Sequence, residues 1–160
     1  MLDIKDPKEA RKIIRENKYT EQTAGTAHEY VQGNLCILPS KYADDFSQFC
    51  KNNPKPCPLI GKGIKGNPTL PELGEIDIRT DVPQYRIWEK SELIEEPFDI
   101  KKYWKEDLVT FILGCSMSFE LPLIKAGIEL QHITNNTIVP MYQTSVDCVP
   151  AGQFSGKLVV

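Results

Sequence analysis

Asp77, Arg79 and Asp81 fall at every second position of the run Ile76–Val82, so an extended chain would place them on one face. A guanidinium between two carboxylates suits a zwitterion: the arginine forks a carboxylate and an aspartate holds an ammonium. The same pattern equally describes a solvated ladder of surface ion pairs. Gly114-Cys115-Ser116-Met117-Ser118 stands between a predicted strand and a predicted helix. Backbone N–H groups at such a junction hold an anion or an oxyanion, and small residues also occur there simply because the turn is tight. Cys115 and Ser116 have the position of a nucleophile at a strand-to-helix elbow. Glu120 lies near that helix's positive end, where a carboxylate is stabilised whatever it does. His132, further on, reads either as a hydrogen-bonded packing residue or as a base, and His28, in a polar loop, as solvated. A divalent ion could use Asp77 and Asp81. No metal motif is present: the only near cysteine pair, Cys50 and Cys57, fits no zinc spacing.

The elements that must position these residues are legible from pattern. Asp6, Pro7 and Glu9 open a helix as N-cap, first turn and capping-box partner, with Ala10, Ile13 and Ile14 facing inward and Asn17 as its end. Leu35–Leu38 is a continuous apolar run stopped by Pro39, the signature of a strand buried on both faces. Ser40 is placed to cap a second helix with Ala43, Phe46 and Phe49 or Cys50 inward. Asn53-Pro54-Lys55-Pro56-Cys57-Pro58 cannot be helical. An internal subdomain boundary is expected within residues 61–75, inside one unit spanning 1–160. Ile76–Val82 reads as a strand, Tyr85–Trp88 as a second strand or hairpin partner, Glu92–Pro97 as exposed, and Asp99 as the cap of a short turn. Leu108–Leu113, a turn, a helix over Phe119–Ala126 and a strand over Ile128–Ile133 predict a right-handed crossover and a parallel pair. Asn135-Asn136 is a turn and Val139–Val146 a further strand. The fold class is therefore α/β, with a mixed, partly parallel sheet and flanking helices. The end of the sequence within an apolar strand signal, Leu158-Val159-Val160, reads as a truncated chain.

Composition narrows the function classes. A net charge of −3 leaves no basic excess for a general nucleic-acid surface. No apolar run approaches a membrane span, and the first twenty residues are no signal peptide. Five cysteines without close pairing fit free thiols in a reducing cytoplasm.

One ordered series of motifs carries a resemblance. It comprises Thr23-Ala24-Gly25, Gln32-Gly33-Asn34 through Ile37-Leu38-Pro39, and Phe49-Cys50 with Asn53-Pro54-Lys55-Pro56-Cys57-Pro58-Leu59-Ile60-Gly61. Asp77–Asp81 with Tyr85-Arg86, Gly114–Ser116 with Ser118-Phe119-Glu120, Val139–Tyr142, and Pro150-Ala151-Gly152 with Phe154-Ser155-Gly156 follow. The sequence resembles the D-glutamate cyclase family, long labelled hydro-lyases of unknown substrate. It departs from that family at His28-Glu29, where Pro-Gly is usual, at Leu121-Pro122 in a helix usually free of proline, and in length.

The resemblance implies an α/β fold of two intertwined subdomains, incomplete here at its C-terminal side. It also implies closure of D-glutamate to 5-oxo-D-proline with loss of water and no required redox cofactor. A base must free the α-amine, an acid must protonate the departing oxygen, and aimed donors must hold the oxyanion. On this expectation Arg79, or Arg86, forks the α-carboxylate, and Asp77 or Asp81 takes the ammonium proton. Gly114, Cys115, Ser116 and Ser118 hold the γ-carboxylate, Glu120 or His132 is the acid, and Tyr142 orients it. The partner is then a small amino acid or other carboxylate. Two other readings stay open: a dehydratase or hydratase of another small carboxylate, and a non-catalytic carboxylate-binding module or inactive fragment. An unpaired edge strand would also allow a homo-oligomer.

Overall fold

Leu108–Gly114 (β5) is the strand about which the rest is arranged. The computed structural model describes residues 4–24, 26–135, 137 and 139–160; Gly25 of the motif Thr23-Ala24-Gly25 and Asn136, read above as part of a turn, lie outside the described residues. Gly33–Pro39 (β1) and Leu59–Lys62 (β2) flank β5, both antiparallel, in the order β1-β5-β2. The period-two alternation of β5 gives it two inward faces. Val109 and Phe111 pack with Phe46, Phe49 and Cys50 of the helix Ala43–Asn52 (α2) on one side. Ile112 packs with Leu70 and Ile78 on the other. Phe111 is fully buried and meets Phe46 edge-on, with ring centroids 4.9 Å apart. Phe154 closes on Phe46 at 5.0 Å, tying the C-terminal turn to α2.

The first helix forms as its capping signal demands. Pro7–Arg15 (α1) starts at Asp6, whose Oδ1 accepts the Lys8 N–H at 2.9 Å. Ala10 and Ile14 are buried, and Asn17 leaves the helix at φ 54°. Asp99 likewise accepts the Lys101 N–H before a short 3-10 turn.

Several expectations are corrected. β1 is an edge strand and only half-buried, because it pairs with β5 alone. A 3-10 turn over Ser40–Tyr42, without a side-chain cap, precedes α2. Ile76–Val82 is not a strand. The carbonyl of Asp77 accepts the N–H groups of Thr80 and Asp81, which winds the segment into a turn, as aspartates offering side-chain acceptors to the local backbone favour. Ile87–Glu89 (β3) pairs instead with Glu92–Glu95 (β4) across a turn at Lys90 and Ser91, both at positive φ.

The crossover does not form. A 3-10 turn over Ser116–Phe119 leads into Glu120–Lys125 (α3), which Gly127 ends at φ 78°. The predicted strand over 128–133 is replaced by a one-turn helix, Gln131–Thr134 (α4). Both edges of β5 are already filled by β1 and β2, so no edge is vacant for a parallel partner. All strand pairings among the described residues are antiparallel. The architecture is mixed α/β without the expected parallel pair. Gln143–Asp147 (β6) and Lys157–Val159 (β7) form a separate two-stranded hairpin. No helix among the described residues is long and apolar enough to cross a membrane.

Candidate functional site

The expected site residues separate into two groups, neither carried by a strand face. In the first, Asp77 and Asp81 close one turn on itself. The Asp77 carboxylate accepts the Arg79 backbone N–H at 3.0 Å and its side-chain Nε and Nη2 at 2.9 and 2.8 Å. Asp81 reaches back to the Asp77 N–H at 2.9 Å and accepts the Thr80 hydroxyl at 2.8 Å. Its remaining capacity is taken by Arg15 of α1, which forks it through Nε at 2.8 Å and Nη2 at 2.6 Å. The Asp81 side chain has 0% exposure. Burial by itself raises its pKa, but the Arg15, Asp77 and Thr80 hydrogen bonds outweigh that and hold the carboxyl below its ordinary value. The Arg79 hydrogen bond, above all, holds Asp77 low as well. Beneath the turn Ile78 is fully buried, and its carbonyl accepts the Tyr85 hydroxyl at 2.5 Å.

Arg15 was not foreseen. It stands sixty-six positions from Asp81, and nothing in the local pattern joins them. Beside this turn an open cleft of about 680 Å³ runs between α1 and the segment Thr69–Thr80. Lys8, Arg15 and Lys101 supply its cations, Glu75 and Asp77 its carboxylates, and Pro71 and Ile76 part of its apolar wall.

The second group lies past the end of β5. Gly114 pairs with Gly33 and gives its N–H to the Pro58 carbonyl at 2.8 Å, which seats the junction on the proline-rich loop. Ser118 does not cap α3; its hydroxyl accepts the Gln32 N–H at 2.9 Å and so fastens the 3-10 turn to the chain before β1. Glu120 then projects from the first turn of α3, and His132 comes back from α4 to meet it. His132 Nε2 and Glu120 Oε1 are 2.9 Å apart, and each side chain is only 18% exposed. Residues twelve apart on two different helices thus form a sheltered carboxylate–imidazole pair, a grouping that can take up and deliver a proton. Pro122 sits in the third position of α3, where its missing N–H costs little.

The remaining candidates stand apart from both groups. Arg86 pairs at the surface with Glu96, Nε to Oε1 at 2.8 Å. Tyr142 is mostly exposed, with its backbone paired to Val160 at the open end of the β6–β7 hairpin. No cavity lining or hydrogen bond among the described residues joins Asp77, Arg79 or Asp81 to Glu120 or His132. All five cysteines are free thiols. Burial pushes Cys36 up to about 11, the wrong direction for a nucleophile. No three His, Cys, Asp or Glu side chains among the described residues gather in a way that could hold a metal ion.

The chain is mixed α/β with a sheltered carboxylate–imidazole pair, and comparison with known proteins narrows its class. The chain is 77% identical over all its 160 residues to a protein of Pelagibacter ubique named "Putative hydro-lyase", and spans 61% of that relative. It is 53% identical over 156 residues to a relative of the same name from Rhizobium johnstonii, covering 97% of this chain and 58% of the relative. A Rhodopseudomonas palustris relative of that name is 55% identical over 141 residues, covering 88% of this chain and 52% of the relative. The chain thus spans between half and two thirds of these relatives. The family model described as D-glutamate cyclase matches residues 109–160, which include β5 from Val109 onward, Glu120 and His132. The chain is thus similar to the D-glutamate cyclase family over residues 109–160, and to these hydro-lyases over most or all of its length.

Proposed function

We propose that the protein is a hydro-lyase that closes D-glutamate to 5-oxo-D-proline, with Glu120 and His132 as its acid–base pair. The observation that carries the reading is the sheltered 2.9 Å contact between these two side chains. In the reaction the α-ammonium gives up two protons on its way to a lactam N–H. The γ-carboxylate loses one oxygen, which departs with those two protons as water. One group must therefore remove protons from nitrogen and one must deliver them to oxygen. A hydrogen-bonded carboxylate and imidazole do both by passing the proton between them. The oxyanion formed between the steps needs backbone or hydroxyl donors, and the turn at Cys115–Met117 is the segment proposed to supply them. Because nucleophile and electrophile belong to one molecule, holding the substrate folded supplies much of the acceleration. Both reacting groups are the substrate's own, so the chemistry asks for no redox cofactor.

The α-carboxylate needs a cation. Arg79 and Arg86 are the arginines first suggested by the sequence, and each already holds a carboxylate of the chain at 2.8 Å. A substrate would have to displace Asp77 or Glu96 to reach either of them. The five free thiols support a reducing, cytoplasmic setting.

An NMR time course with D-glutamate, and L-glutamate as control, tests the reading. We expect 5-oxoproline from the D isomer and a loss of at least about a hundredfold in kcat for Glu120→Gln and for His132→Gln. Turnover preserved in both variants would remove the pair from the chemistry. Turnover of a hydroxy acid but not of D-glutamate would move the substrate to another small carboxylate.

A further inference from the structure

Lys8, Arg11 and Arg15 recur at i, i+3 and i+7 of α1, so one side of this helix carries a basic stripe. Lys8 and Arg15 line the open cleft of about 680 Å³, as does Lys101 from outside the helix. Arg11 stands against the same wall. Its Nη2 lies 3.6 Å from the point that a Cβ on the lining residue Gly74 would occupy, and its Nε is buried without a hydrogen-bond partner. The carboxylates about the cleft are largely spent: Arg15 holds Asp81, Arg79 holds Asp77, and the exposed Glu75 meets Lys8 only at 3.8 Å. Arg11 and Lys101 are left without a carboxylate partner among the described residues. Arg15 also keeps donors in reserve. Its Nε and Nη2 are anchored on Asp81, Nη1 has no partner among the described residues, and the side chain is half exposed. A guanidinium fixed along one edge presents its other edge with little left to order on binding.

We propose that this cleft binds a phosphate monoester with an apolar body. Such a group concentrates about 1.5 to 2 negative charges at pH 7, which matches the two cations that lack a carboxylate partner. The fork of a guanidinium and the point charge of an ammonium are both suited to it. Pro71 and Ile76 offer the body an apolar wall, and the volume suits a ligand larger than a bare anion. A free amino acid is a poor match, because Asp77 and Asp81, the carboxylates that would hold its ammonium, are both taken by arginines. The proposal does not rest on the acid–base reading: neither Glu120 nor His132 lines the cleft, and its test measures no turnover.

The 160-residue chain is titrated with phenyl phosphate and followed by amide NMR, with inorganic phosphate, benzoate and L-glutamate as separate arms. Phenyl phosphate is expected to bind with a Kd below about 1 mM, at least about fivefold more tightly than each of the other three. The shifted amides should fall in residues 8–15, 69–80 and 101. Lys8→Gln with Lys101→Gln, both at exposed positions, is expected to weaken binding at least about tenfold. The β5 amides of that variant should keep their positions, showing that the fold is intact. The proposal is overturned if phenyl phosphate at about 10 mM shifts no amide of those segments, or if the double substitution leaves its affinity unchanged. Equal binding of benzoate or L-glutamate would make the cleft a carboxylate site, and equal binding of inorganic phosphate would remove the apolar wall from recognition; each overturns the ligand class proposed.

Discussion

Asp81→Asn isolates a side chain that accepts four hydrogen bonds. Its carboxylate is wholly shielded from solvent and accepts Arg15 Nε and Nη2, the Asp77 N–H and the Thr80 hydroxyl. The variant keeps one carbonyl acceptor and loses the charge and the bidentate fork. Removing one partner of a buried ion pair costs about 3–5 kcal/mol. Arg15 is 51% exposed, however, so water takes up much of what it loses. The expected cost is therefore about 2–3 kcal/mol, or a fall in Tm of roughly 5–10 °C at this chain length. The sign with pH follows from the depressed carboxyl. A group whose pKa is lower folded than unfolded stabilises the fold above the unfolded value, about 3.9, and loses that contribution as pH falls toward the folded value. Urea melts of both proteins at pH 7, 5 and 3 should show a gap that is constant from 7 to 5 and narrower at 3. Asp77, also depressed, is present in both proteins and cancels in the difference. A gap below about 0.5 kcal/mol at pH 7, or one equally wide at pH 3, would refute the assignment of Arg15–Asp81 as the clasp that holds α1 to the turn.

Two further perturbations probe the seating of the C-terminal turn on α2. Gly152 has φ 52°, and a Cβ there would come within 1.9 Å of an Asp45 carboxylate oxygen. Gly152→Ala should therefore cost about 1–2 kcal/mol from the backbone conformation plus the displacement of Asp45. Adding Asp45→Ala should recover the second part alone, read as a non-zero coupling in a double-mutant cycle. Asn53→Ala removes the side chain that gives N–H bonds to the Phe49 and Val149 carbonyls and accepts the Val149 N–H, each at 2.8 Å. A loss of about 2–3 kcal/mol is expected in denaturant melts, together with faster exchange of the Val149 amide. Unchanged exchange at Val149 would mean that the loop is held by Phe154 instead.

What the sequence made legible is what is decided within a few residues. Asp6 and Pro7 announced α1 because a cap and its first turn are contiguous. The β5 run announced the central strand because four of its seven residues are buried. The carboxylates at 77 and 81 were recognisable as partners for a guanidinium, but which guanidinium was not. Alternation over Ile76–Val82 implied an extended chain with Arg79 free to bind a ligand. The side chains of Asp77 and Asp81 instead supplied acceptors to their own backbone, and the turn they made placed Arg79 on Asp77 and opened Asp81 to Arg15. Long-range selection of this kind leaves no periodic trace.

The stretch after β5 shows the complementary limit. Ile128, Leu130 and Ile133 alternate or step in a way that fits a strand, and the helix before them fits a crossover. A strand beside β5, however, needs an edge of β5, and β1 and β2 occupy both of them over positions that local pattern cannot report. The segment therefore turns into α4 and brings His132 onto Glu120. The apolar residues that pattern assigned to a core remain, about half exposed at Ile128 and Ile133. Their hydrophobicity was read correctly, but among the described residues they are not buried. The Glu120–His132 contact and the exposed apolar side chains thus belong to one segment: it does not pair with β5 but folds back on α3, sheltering two polar side chains while leaving Ile128 and Ile133 about half exposed.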